Sequence, residues 1–185
     1  MEHLPIELLE YCFNFFKFVD KVHFIQTCCY YNTYLLITDF YNLPIKYRKR
    51  LNDDILANKF YIKKLDIKNN KNVKKINHLI NLQVLDCESN NIDDNQLKNL
   101  NLIELCANYN CMIKNIGHMT NLVKLKCAGT CGISDEDIQT LNLKNLDATN
   151  NNKIKKIDNM TNLRWLACGW DCGISDENIR NLNVS

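Results

Sequence analysis

Six leucines stand twenty or twenty-one residues apart in this 185-residue chain: Leu65, Leu85, Leu105, Leu125, Leu146 and Leu166. A longer echo lies over them, because LKCAGTCGIS at residues 125–134 returns forty-one residues later as LACGWDCGIS at 166–175. A fixed period of this length dictates a solenoid. Each turn of chain is too small to bury its own apolar edge and hides it against the turns on either side.

Every coil repeats the same phases around its anchor. Three residues before it stand Ile62, Leu82, Leu102, Leu122, Leu143 and Leu163, and two after it Ile67, Cys87, Ala107, Cys127, Ala148 and Cys168. Alternation at the anchor and two beyond it predicts one short strand per coil, apolar side chains inward. Five after the anchor comes a small polar residue: Asn70, Asn90, Asn110, Thr130, Asn151 and Asp171. Such residues bond nearby backbone readily, so they are expected to form a ladder that satisfies the groups freed at the bend. Val73, Ile92, Ile113, Ile133, Ile154 and Ile174 follow. The pattern resembles the leucine-rich repeat, L-x-x-L-x-L-x-x-N, over residues 62–184. That resemblance implies an α/β solenoid, a right-handed coil of about six repeats with a parallel sheet on its concave face.

The return half of the coil has two forms. Coils one, three and five carry V-K-K-I, I-K-N-I and I-K-K-I, then Leu79, Met119 or Met160, a spacing that suits a short 3₁₀ or loose helical turn. Coils two, four and six carry I-D-D-N-Q-L, I-S-D-E-D-I and I-S-D-E-N-I, where Ser134 and Ser175 are expected to cap short helices with carboxylates at the positive end. The even coils are similar to the cysteine-containing repeats of F-box proteins, except that Cys131 and Cys172 sit one place later than that class's cysteine.

Residues 1–45 have no twenty-residue period. Ile6, Leu9, Phe13 and Phe16 recur at helical spacing behind Pro5, which suits a helix start, and Val22, Phe24 and Ile25 begin a second apolar run. L-P-x-E-L-L, F-x-F-F, D-K-V and T-C-C-Y-Y together resemble an F-box, a small helical module that docks on a Skp1-like adaptor. By position, Leu4, Pro5, Leu8, Leu9 and Phe13 would make the docking surface, with Phe16 and Val22 flanking or core; Tyr31 replaces the family's usual tryptophan. The competing expectation is that these helices only cap the first coil. Residues 46–61 read as a linker or helix into the repeats, and the basic cluster Lys46–Arg50 as a solvated face. The array then occupies 62–185.

Net charge is +2, which gives no ground for nucleic acid as a partner. The longest charge-free stretch, residues 24–38, is too short and polar for a membrane span. The start MEHLPIELLE does not read as a signal peptide, so a cytoplasmic location is expected, the host's cytoplasm if the source is a virus, with ten reduced cysteines. Twenty-nine asparagines are a bias that AT-rich genomes, such as those of large DNA viruses and slime moulds, often produce.

No catalytic, metal or cofactor set emerges. Cys127/Cys131 and Cys168/Cys172 lie two coils apart, roughly 10 Å at strand spacing, too far to share a zinc ion. Cys87, Cys127 and Cys168 read as small buried hydrophobes; Cys111 and Cys131 are a neighbouring pair whose direction the sequence leaves open. His78 and His118 duplicate each other, unlike a unique catalytic centre. Enzymatic activity is not expected. The outward positions of the strands are mixed in charge, and Tyr109, Lys124, Lys126, Trp165 and Trp170 are the candidate contacts for a protein target on the concave face. An open last coil raises the expectation of end-to-end self-association. The F-box and leucine-rich-repeat resemblances together imply, as an expectation, a substrate-recognition subunit of a Skp1–cullin–F-box ubiquitin ligase. The alternatives are an interaction scaffold with a helical cap, or a decoy that sequesters Skp1.

Overall fold

A computed structural model describes residues 5–27, 34–41, 43–180 and 182. Its spine is one parallel sheet whose seven strands stack in chain order. They are β1 (Asp39–Phe40), β2 (Lys64–Asp66), β3 (Val84–Asp86), β4 (Glu104–Cys106), β5 (Lys124–Lys126), β6 (Asn145–Asp147) and β7 (Trp165–Ala167). The register pairs Leu65 with Leu85, Leu85 with Leu105, Leu105 with Leu125, Leu125 with Leu146, and Leu146 with Leu166. The predicted parallel solenoid is therefore the fold. The first five anchors are fully buried, each contributing roughly 1.5–3 kcal/mol of apolar burial.

Two features lengthen the array beyond six coils. β1 pairs with β2, Phe40 standing beside Leu65 in the anchor row. Behind it come α3 (Ile45–Arg48) and α4 (Asp53–Leu56), the latter capped by the Asn52 side chain accepting from the Ile55 N–H. Leu51 and Leu56 are buried at the places Ile92 and Leu97 hold forty-one residues on. The stretch expected to be a connection thus builds a further, irregular turn of even type.

The two return forms are both present. Even coils carry α5 (Asp94–Leu97), α6 (Asp135–Ile138) and α7 (Asp176–Ile179); Ser134 and Ser175 close reciprocal capping boxes with Asp137 and Asn178. Odd coils close single turns, Leu79 N–H to Ile76 O, Met119 to Ile116 and Met160 to Ile157, each 2.9 Å. A clasp joins the forms. Asp53 accepts from the Lys74 and Lys75 N–H groups, Asp94 from Lys114 and Asn115, and Asp135 from Lys155 and Lys156, all at 2.7–3.0 Å.

The polar ladder needs correction at two rungs. Asn70, Asn90, Asn110 and Asn151 are buried, each donating to backbone carbonyls of the preceding turns and accepting an N–H two residues on. Thr130 and Asp171 are exposed. In coils four and six the extra residue falls before the rung, so the buried Cys131 and half-buried Cys172 take the inner position. Cys111 points outward and Cys131 inward, both as free thiols.

At the front, α1 (Ile6–Asn14) and α2 (Phe18–Gln26) pack through Phe13, Phe16 and Phe24, with ring centroids 5.5–6.2 Å apart. Phe18 meets Phe40 edge-on at 5.5 Å, which joins this pair to the solenoid core.

Candidate functional site

The sheet face carries the residues that flank each anchor, most of them half-buried and Asp66 and Cys106 buried. Its first half is a lattice of charges: Lys68 bonds Glu88 at 2.8 Å, Lys124 approaches Glu104 at 3.3 Å, Lys64 lies 4.0 Å from Asp39, and Arg48 reaches from α3 to the buried Asp66. Asp66, Asp86 and Asp147 each turn one oxygen back to the N–H two residues on, the local bond this residue favours. Asp86 and Asp147 enter no ion pair among the described residues. Burial, reinforced by the nearby Asp66 and Glu88, pushes the Asp86 carboxyl above its ordinary value.

Tyr41, just past β1, leans over this lattice. With Val84, Asp86, Glu104, Cys106, Lys124 and Lys126 it lines a half-open cavity of about 40 Å³. Burial first, then Asp86, Cys106, Asp66 and Glu104, push its phenol up to about 12, so at neutral pH it stays a protonated donor. Sequence reading missed Tyr41 because it lies outside the repeat. It also missed that Asp86, Glu88 and Cys106 bring their ligand atoms within 4.8 Å of one another. Among the described residues this is the group of donors that could hold a metal; Asp86 and Cys106 are register partners, a signal the twenty-residue spacing did contain. Lys68 already bonds Glu88, and burial with the neighbouring Asp86 pushes the Cys106 thiol up to about 12.

The expected target residues fall into two rows. Lys124 and Lys126 sit on β5 and Trp165 on β7, with Lys124, Asn145 and Trp165 in one register line across the sheet face. Tyr109 and Trp170 belong to the turn beyond it. There every coil places one residue in the left-handed region: Asn69, Ser89, Tyr109, Gly129, Asn150 and Trp170, at φ of 51–67°. The Tyr109 ring lies against Gly129, where a Cβ would run into it, and borders a groove of about 330 Å³ with Lys71, Asn91, Cys111 and Met112. Trp170 is 93% exposed. The five residues do not form a single patch.

The front helix divides the expected docking residues. Leu9 and Phe13 are buried in the common core, whereas Leu8, Tyr11 and Phe15 are exposed at positions i, i+3 and i+7 of one helical face. Tyr11 and Phe15 rest edge to face, 5.2 Å between centroids. Pro5 is the N-cap of α1, its carbonyl accepting from Leu8 and Leu9, and Leu4 and Tyr31 lie outside the described residues.

Groups that often carry chemistry are engaged in holding the coils. The His78 ring meets the Leu56 carbonyl at 2.9 Å and His118 those of Leu97 and Leu100 at 3.2 Å, so both sit at the C-terminal ends of short helices. Burial pushes the Cys87 and Cys127 thiols well up and that of Cys131 to about 11, which leaves them unreactive. No described helix is long and apolar enough to cross a membrane.

No protein-family model and no curated protein matches the chain. Among solved structures it is similar to an internalin, InlF, from Listeria monocytogenes strain 4b F2365, at 27% identity and a TM-score of 0.52. The match covers 70% of this chain and 42% of that one, so the chain spans less than half of the internalin's length. With the anchor register and the buried asparagine rungs, this likeness makes the chain a leucine-rich-repeat solenoid, a fold whose open sheet suits protein–protein interaction.

Proposed function

We propose that the chain is a two-surface adaptor: the sheet face holds a protein target and the outer face of α1 holds a Skp1-like adaptor, as in the receptor of a cullin-type ubiquitin ligase. The observation that carries the reading is the exposed Leu8–Tyr11–Phe15 face, at 54%, 65% and 73% exposure, on a helix whose opposite side is already packed. An amphipathic helix with apolar residues on its outer side as well is suited to lie in a partner's groove. The docking residues are then Pro5, Leu8, Tyr11 and Phe15, with Leu9 and Phe13 supporting them from the core.

A second reading, that α1 and α2 only cap the array, draws on the burial of Leu9 and Phe13 in the solenoid's own core. Co-purification with a Skp1-type adaptor separates the two. Binding lost in Leu8→Asp and Tyr11→Asp, with the melting temperature unchanged, supports docking; no binding by the parent chain leaves the cap. A photo-cross-linker in place of Trp165 tests the target surface. Ubiquitin transfer to the protein it captures distinguishes a receptor from a decoy.

A further inference from the structure

The cavity under Tyr41 is small and specific in its lining. At about 40 Å³ it has room for a small polar head group, a single water needing only about 10–15 Å³ on the same measure. Asp86 and Glu104 bring carboxylates to it from adjacent strands, and Tyr41 brings a phenol oxygen. Around it Asp66, Glu88 and Glu104 each have a cationic partner in Arg48, Lys68 and Lys124. Asp86, half-buried among them, forms no ion pair among the described residues, Lys68 attracting it only from beyond contact distance. A half-buried carboxylate without a contacting counter-charge is unfavourable, and a cation supplied from outside reduces the penalty.

We propose that this cavity receives a lysine ammonium group from the protein held on the sheet face. The inference rests on the adaptor reading and names the chemistry of its target. An ammonium carries three donors, which match the oxygens of Asp86, Glu104 and Tyr41. A guanidinium is a wide planar fork with five donors, more than these three groups can match, so the site favours lysine over arginine. The Cys106 thiol, 8% exposed, borders the seat without adding charge. Lys124 and Lys126 line the same cavity and repel an incoming cation, so a single lysine binds weakly.

The test is an NMR titration of the isotope-labelled full chain with the blocked peptide acetyl-Gly-Gly-Lys-Gly-Gly-amide, beside its arginine and Nε-acetyllysine counterparts. The expected result is amide shifts at Asp86, Cys106 and Lys126, with binding at least tenfold weaker for both counterparts. Asp86→Asn abolishes the shifts, Glu104→Gln weakens binding several-fold, and Lys126→Ala tightens it several-fold. Equal binding of the acetyllysine peptide, shifts confined to other residues, or titrations unchanged by both Asp86→Asn and Glu104→Gln overturn the proposal. Because the titration needs no partner, it can fail while cross-linking at Trp165 still succeeds, which removes the lysine seat and leaves the adaptor reading standing.

Discussion

The asparagine rungs give a sharp test of how the coils are aligned. By counting from the anchors, Asn110 and Thr130 are equivalent; in the fold Asn110 is fully buried and Thr130 is exposed. The Asn110 side chain donates to the Ile92 carbonyl at 3.1 Å and accepts from the Met112 N–H at 3.0 Å. Asn110→Ala therefore strands two backbone groups. At about 1–3 kcal/mol for each buried group left unpaired, and with the Met112 side only partly buried, the loss is about 3 kcal/mol. Thr130→Ala removes a solvated side chain and changes stability by less than about 0.5 kcal/mol. Urea unfolding followed by far-ultraviolet circular dichroism measures both, and hydrogen exchange at the Met112 amide localises the first. Similar losses for the two variants would refute the assignment of Cys131 to the inner rung, and a Met112 amide still protected in Asn110→Ala would refute the bond that makes Asn110 a rung.

Other expectations follow from the turn row and the charged face. Gly129→Ala, at φ 67° and against the Tyr109 ring, should cost at least about 1–2 kcal/mol, whereas Trp170→Gly relieves left-handed backbone at an exposed site and should raise the urea midpoint. Asp86→Asn keeps the oxygen that accepts the Glu88 N–H while deleting a charge whose folded-state pKa is raised. Its stabilising effect should be full above that raised pKa, shrink as pH falls through it, and vanish below the ordinary value of 3.8; thermal melts across pH 3–8 give the sign, and a gain that grows on acidification would contradict it. Maleimide labelling mapped by mass spectrometry should find Cys12 and Cys111 modified at once and Cys87, Cys127 and Cys131 only after unfolding.

The interior of the array was legible because one period sets it: the anchors, the strand positions, the alternating return halves and the even-coil caps all follow from spacing. Legibility failed where spacing changes. Phe40 stands in the anchor row twenty-five residues before Leu65, so the irregular first turn hid, although L-N-D-D-I-L at 51–56 already matched the even-coil signature forty-one residues on. The insertion in coils four and six shifted the rung by one residue, which counting from the leucine alone cannot detect. In α1 the apolar residues surround most of the helix, and periodicity does not say which side meets the core; Leu9 and Phe13 do, leaving Leu8, Tyr11 and Phe15 outward. Tyr41 belongs to no repeat, and only three-dimensional placement brings it over Asp86.

The carboxylate clasps of Asp53, Asp94 and Asp135 run in one direction only, from an even turn to the odd turn after it. Excising a single turn would set two unlike edges against each other, with a carboxylate facing no pair of amides. Excising residues 94–134 as a block re-creates a native seam, with Asp135 taking the place of Asp94. Growth and shrinkage of such an array by recombination is therefore quantised in pairs, and a designer who wishes to lengthen it should splice forty-one residues at a time.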